Sequence, residues 1–152
     1  MIYYKDGYAF FHREWPSQWH KTHFRYQNIT FNCCEQWMMF NKAILFGDYT
    51  NAKLIITTDS PSTQKKLGRA VMAFNQGVWD RVCKKIVYYG NYLRFTQNPN
   101  DGQRLISTSP SKLVEASPKD NIWGKYRDWE TDRKSTRLNS SHSAKSRMPS
   151  SA

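Results

Sequence analysis

Shortages narrow the field before any motif is read. The chain has 3 Cys in 152 residues, with Cys33 and Cys34 adjacent and Cys83 far away, so it holds no disulfide framework and no paired Cys-x-x-Cys zinc motif. That usage suits a reducing, intracellular setting. No apolar run approaches the roughly 18 residues of a membrane-spanning helix, and the opening MIYYKDGYAFFHREWP lacks the basic-then-apolar order of a signal peptide. The expectation is a soluble, cytoplasmic protein without a membrane partner. Histidine is scarce too: 4 in all, and although His20 and His23 form a pair, no third ligand stands at a useful spacing. Loop or surface histidine is the plainer reading, and neither a metal nor another cofactor is expected.

Acid is outnumbered. Against 23 Lys and Arg stand 12 Asp and Glu, a formal net charge of +11. That balance favours an anionic partner such as a phosphate or a nucleic acid. From Lys125 to Ala152 there are seven basic and three acidic residues, so the preceding body remains basic with sixteen against nine. Scattered cations also describe an ordinary solvated surface, and charge alone does not choose between the two. Aromatics are plentiful at 15%, with 6 Trp and 9 Tyr that serve equally to fill a core or to stack a flat ligand.

The length fits one domain, and the pattern along it predicts an α+β fold that is predominantly helical, with a few short strands. Residues Tyr8 to Phe11 and Phe24 to Phe31 read as strands or extended segments. The stretch Asn32 to Asp48, NCCEQWMMFNKAILFGD, carries apolar side chains nearly all round a helix and so reads as the central one. Helical spacing puts Glu35, Met38, Met39 and Lys42 on one face. Glu35, in the first turn and in apolar surroundings, is either a cap or a working acid.

Asp59-Ser60-Pro61 is a helix start, with Ser60 as N-cap and Pro61 at the first helical position. The helix that follows carries Leu67, Val71 and Phe74 as its buried stripe and leaves Lys65, Lys66 and Arg69 partly outward. Gly68 inside it costs about 1 kcal/mol against Ala, which points to a close backbone approach. A turn over Asn75 to Val78 leads into a longer helix reaching about Phe95, with Val78, Val82, Ile86, Tyr89 and Leu93 at the helical interval. Asn98-Pro99 opens a short helix through Leu105 and Ile106, and Lys112 to Ala116 reads as a short strand.

Several blocks, taken together and in order, resemble the YbiA-like NADAR family of N-glycosidases. They are Ser17-Gln18-Trp19, Glu35-Gln36-Trp37-Met38-Met39 with Lys42-Ala43, Leu67-Gly68-Arg69, Trp79, Arg94-Phe95, Leu113-Val114-Glu115-Ala116 and Asp120-Asn121-Ile122-Trp123-Gly124. Arg94 stands where the family usually has lysine, which keeps the charge and changes the geometry. The resemblance covers about Tyr8 to Gly124, giving a NADAR domain over residues 1–124 that lacks the family's last helix. Residues 125–152, poor in apolar side chains and rich in Ser, Arg and Lys, read as a disordered tail of adapter or vector origin.

The resemblance implies hydrolysis of a C–N glycosidic bond in a phosphorylated ribosylamino-pyrimidine of riboflavin synthesis, or in ADP-ribosyl-guanine, with ADP-ribosylated DNA as a candidate partner. Cleaving such a bond builds positive charge on the sugar, so a carboxylate beside the anomeric carbon lowers the barrier or positions water. Glu35 is the first candidate and Asp120 the second, although an Asp at that place also serves as a turn residue. Trp79 and Trp123 stand where the family's tryptophans stand, as ligand platforms or as core. Arg69, with Lys65 or Lys42, supplies the candidate phosphate cations, and for the lysines a solvated face is the competing reading. The alternatives from other classes are a module that binds nucleotide, ADP-ribose or nucleic acid without turnover, and an inactive truncated fragment. The oligomeric state leaves no trace in the sequence.

Overall fold

The computed structural model describes residues 1–117. In chain order the elements are β1 (Tyr3–Lys5), β2 (Tyr8–Phe11), β3 (Phe24–Tyr26), β4 (Ile29–Phe31), α1 (Cys34–Leu45), α2 (Tyr49–Thr57), α3 (Pro61–Arg69), α4 (Gln76–Gln97), α5 (Pro99–Ser107) and β5 (Lys112–Glu115). The helix-dominated α+β class expected from the pattern is the one observed. The described residues divide into two compact units, one formed by residues 1–12 with 110–117 and the other by residues 13–109.

The first unit is a three-stranded sheet in the order β1-β2-β5. Tyr3 to Lys5 and Tyr8 to Phe11 run antiparallel across a two-residue turn, in which Asp6 and Gly7 both take positive φ, 49° and 78°. Two positive φ angles in succession are what a tight hairpin demands, and Asp-Gly tolerates them. β5 adds parallel to β2, with Ala9 opposite Leu113 and Phe11 opposite Glu115.

In the second unit α1 is the hub: it packs against α2, α3, α4 and β4. Met38, Met39 and Ala43 look into one cluster with Ala52, Ile55 and Val71, while Cys34 and Trp37 look into another with Phe24, Phe31 and Leu93. Phe24 and Phe31 are cross-strand partners in the β3–β4 hairpin with ring centroids 5.6 Å apart, and both are buried. Burying a side chain of that size fully is worth about 1.5–3 kcal/mol, so this pair anchors the hairpin on α1. The extended stretch expected over Phe24 to Phe31 is therefore two strands, turned where Gln27 takes φ 54°.

One helix is new and two local expectations need correction. α2 is the new helix: Leu54-Ile55-Ile56-Thr57-Thr58 is rich in β-branched residues, which favour helix weakly. Tertiary contacts override that preference: Ala52 and Ile55 are buried on α1, and Asp48 caps the helix by accepting from the Asn51 amide at 3.1 Å. α3 ends at Arg69, so Phe74 is not part of its stripe; it lies beyond the helix, 40% exposed, with its ring 5.3 Å from that of Phe46. At the end of α1, Ile44 and Leu45 are exposed, so the all-round burial expected of that helix holds for its first turns and fades at its last.

Glycine settles two helix crossings. A Cβ on Gly68 would lie 1.9 Å from Met39 Sδ, and one on Gly90 would lie 2.4 Å from Trp37 Cδ1. α3 and α4 thus approach α1 on two sides through glycine, and the close approach expected at Gly68 is observed. Among the described residues no helix is long and apolar enough to cross a membrane.

Candidate active site

Glu35 enters α1 at the second helical position. The N-cap is its neighbour Cys33, whose sulfur accepts from the Gln36 amide at 3.4 Å and donates to Gln64 Oε1 at 3.1 Å. Gln36 takes the capping-box position: its Oε1 accepts from the Asn32 amide at 2.8 Å, and its Nε2 donates to the Ile55 carbonyl at 3.0 Å near the end of α2. The cap is thus supplied by Cys33 and Gln36 rather than by the Glu35 side chain. Glu35 is buried, close to the positive end of the helix dipole.

The Ser17-Gln18-Trp19 block lies against this helix start. The Glu35 amide donates to the Gln18 carbonyl at 2.9 Å, and the Gln18 side chain donates to Asn91 Oδ1 of α4 at 3.0 Å. Ser17 is buried, and its Oγ accepts from the Trp19 amide at 3.2 Å. The loop is fixed from beneath by Arg94, which has no exposed surface. Its guanidinium donates to the Ser17 carbonyl at 3.2 Å and the Trp15 carbonyl, and pairs with Asp101 at 3.3 Å. A fork with several planar donors fits three acceptors at once, which an ammonium does less well. No local sequence signal marks Arg94 for this role, because the two carbonyls it serves lie 77 and 79 positions away.

One helical face carries Glu35, Met39 and Lys42. Lys42 Nζ stands 4.3 Å from the ring centre of Phe74 and 5.5 Å from that of Trp79. Burial lowers the Lys42 pKa, Arg69 pushes it the same way, and Glu35 opposes both. An acid and two cations thus share one electrostatic neighbourhood, with two aromatic faces beside it. Lys65 Nζ lies 5.7 Å from the ring of Trp19, a second cation over an aromatic face. Cations held over rings within about 6 Å gain modest attraction and keep their charge available to an anion.

Of the residues expected in the site, Glu35, Lys42, Arg69 and Trp79 fall together in this part of the second unit. Asp120 and Trp123 lie outside the described residues, as does the tail expected over 125–152. Phe74 was placed in the core by its spacing from Leu67 and Val71; only the end of α3 at Arg69 frees it to sit under Lys42. Cys33 and Cys34 sit beside Glu35 as thiols, since burial pushes them up to about 11 and about 12.

The model of the NADAR domain matches residues 3–142, running past Gly124, where the resemblance read from motifs ends. The chain is 40% identical over 132 residues to N-glycosidase R617 of Acanthamoeba polyphaga mimivirus, covering 78% of each protein. It is also 38% identical over 98 residues to Protein irg-1 of Caenorhabditis elegans, which covers 63% of this chain and 46% of that protein. With a domain match over nearly its whole length and this degree of identity to a relative, the chain belongs to the NADAR domain family.

Proposed function

We propose that the chain is an N-glycosidase that hydrolyses the bond between a ribose carbon and a base nitrogen in a phosphorylated ribosylamino-pyrimidine or an ADP-ribosyl-guanine. The observation that carries this reading is the shared neighbourhood of Glu35, Lys42 and Arg69 beside Trp79 and Phe74. Kinship to a protein named N-glycosidase supplies the reaction class. The arrangement suits each part of such a substrate. Arg69 stands close enough to disfavour the charge on Lys42, and a phosphate bound beside them offsets that repulsion. Trp79 offers a face to the base.

In the reaction, the C–N bond breaks with its electron pair leaving on the base nitrogen, which takes up a proton. Water adds to the anomeric carbon and loses a proton in turn. Positive charge grows on the sugar between these events, and the Glu35 carboxylate opposes it or holds the water in line. Asp120 is the second carboxylate for the proton movements, and Trp123 a second platform for the base.

The test is base release from a ribosylamino-pyrimidine phosphate and from an ADP-ribosyl-guanine oligonucleotide, followed by chromatography. Glu35→Gln keeps the size of the side chain and removes its charge. Loss of such a stabilising group costs about 10²–10³ in rate, whereas Arg69→Ala raises KM more than it lowers kcat. A Glu35→Gln protein that turns over either substrate at the wild-type rate overturns the assignment. Failure of the wild type to release base from both, while still binding them, favours a module that holds the ligand without cleaving it.

A further inference from the structure

On the far side of α1 and α4 from Glu35 lies a second feature that the proposed chemistry does not use. A groove of about 720 Å³ is lined by Tyr26, Trp37, Asn41 and the outer face of α4. Along that face Arg81, Lys84, Lys85, Tyr88, Tyr89 and Tyr92 recur at helical spacing, one stripe about 16 Å long at 1.5 Å per residue. Tyr88 is 73% exposed and Tyr92 54%, and the Tyr89 and Tyr92 rings lie nearly parallel with centroids 6.2 Å apart.

The charge on this stripe has one sign. No acidic residue occurs from Arg81 to Gln97, nor from Phe24 to Cys34 on the opposite wall. That wall is firmly placed: the Arg25 amide donates to Gln97 Oε1, and Gln97 Nε2 donates to the Arg25 carbonyl, each at 2.7 Å. Tyr26 is held edge-on to Trp37 at 5.4 Å and to Tyr89 at 5.8 Å. Trp37 is in turn pinned by its Nε1 donating to the Ile86 carbonyl at 2.8 Å. The groove is thus a built surface, with tyrosine rings at one end of the α4 stripe and cations at the other.

We infer that this face of α4 binds single-stranded nucleic acid. A polymer that carries negative charge at every unit and a flat ring on each matches a stripe in which a run of cations leads into a run of exposed aromatics. A duplex hides its ring faces and would leave the tyrosines unused, and an apolar partner helix would meet three lysine or arginine heads instead of an oily strip. The face is also distinct from the candidate active site. Trp37 is about half a turn round α1 from Glu35, and Tyr88 is about two and a half turns along α4 from Trp79, which puts it on the opposite side. A strand bound here does not occupy the Glu35 neighbourhood, and the inference does not depend on the glycosidase reading.

Fluorescence anisotropy of the full chain with a labelled oligothymidylate of about ten nucleotides, against a duplex of equal length, tests it. Single strand binds more tightly than duplex. Tyr88→Ala weakens binding roughly five- to hundredfold through lost stacking, and Tyr88→Phe, which keeps the ring, restores it. Lys84→Ala with Lys85→Ala lowers the slope of log affinity against log salt by about 1.4, while Lys53→Ala on α2 leaves it unchanged. Glu35→Gln binds as the wild type does. The inference is overturned by an absence of saturable binding, by a Tyr88→Ala protein that binds normally, or by a preference for duplex. It also fails if Tyr88→Ala converts a dimer into a monomer in light scattering, which would make this face a contact between two copies.

Discussion

Gly68→Ala is a sharp test of the packing beneath the candidate site, because two effects of similar size oppose each other there. In a helix interior Ala is favoured over Gly by about 1 kcal/mol. Against this, the new methyl lies 1.9 Å from Met39 Sδ, 2.8 Å from its Cγ and 3.1 Å from its Cβ. The sulfur sits toward the end of a flexible side chain and can swing, but Met39 is 6% exposed and shares its cluster with Ala43, Ile55 and Val71. Rotating the side chain does nothing for the contact at Cβ. Overpacking of this kind costs about 1–3 kcal/mol, so the net loss is about 0–2 kcal/mol, and the contacts at both Sδ and Cβ put it toward the upper end. At that upper end the Tm falls by roughly 4–8 °C for a chain of this size.

The control is Gly77→Ala in α4, where the nearest neighbour of the added methyl is Asn75 Oδ1 at 3.4 Å. It is expected to raise stability by about 0.4–1 kcal/mol. Thermal and urea unfolding followed by circular dichroism measure both, alone and in a Met39→Ala background. With Met39 shortened to alanine the Sδ and Cγ contacts vanish and only the 3.1 Å contact at Cβ remains, so the loss from Gly68→Ala shrinks toward zero. If Gly68→Ala raises the Tm of the otherwise wild-type chain as Gly77→Ala does, the close crossing of α3 over α1 is wrong.

Arg94→Met leaves the Ser17 and Trp15 carbonyls and the Asp101 carboxylate without their buried cation, and is expected to cost about 3–5 kcal/mol in urea unfolding. Arg94→Lys recovers only part of this, and full recovery would show that charge rather than the fork holds the loop. Stability should fall as pH rises above the ordinary cysteine value of 9.0, because Cys33 and Cys34 ionise in the unfolded chain while burial keeps them protonated in the fold up to about 11 and about 12. Lys42 works in the opposite sense: its pKa is lowered in the fold, so stability gains as pH rises from that value to the unfolded 10.5. Melting curves of Cys34→Ala should therefore show a shallower alkaline loss than the wild type, and an unchanged loss would discard the thiol assignment.

The sequence by itself determined the hub helix, the cap and proline that start α3, the presence of a close approach at Gly68, and the family motifs that single out Glu35. These are local or periodic signals, carried by neighbours within a turn or two of one another. Only the tertiary structure decided that α2 is a helix, since its β-branched run is held helical by burial of Ala52 and Ile55 on α1. It alone placed Phe74 beneath Lys42, through the end of α3 at Arg69. It alone showed that Arg94 reaches back across more than seventy residues to brace the loop beside Glu35. The sites also depend on which helix face turns inward. Spacing sets the faces of α1 and α4, but their packing partners decide which become a buried acid with two cations and which an open row of tyrosines.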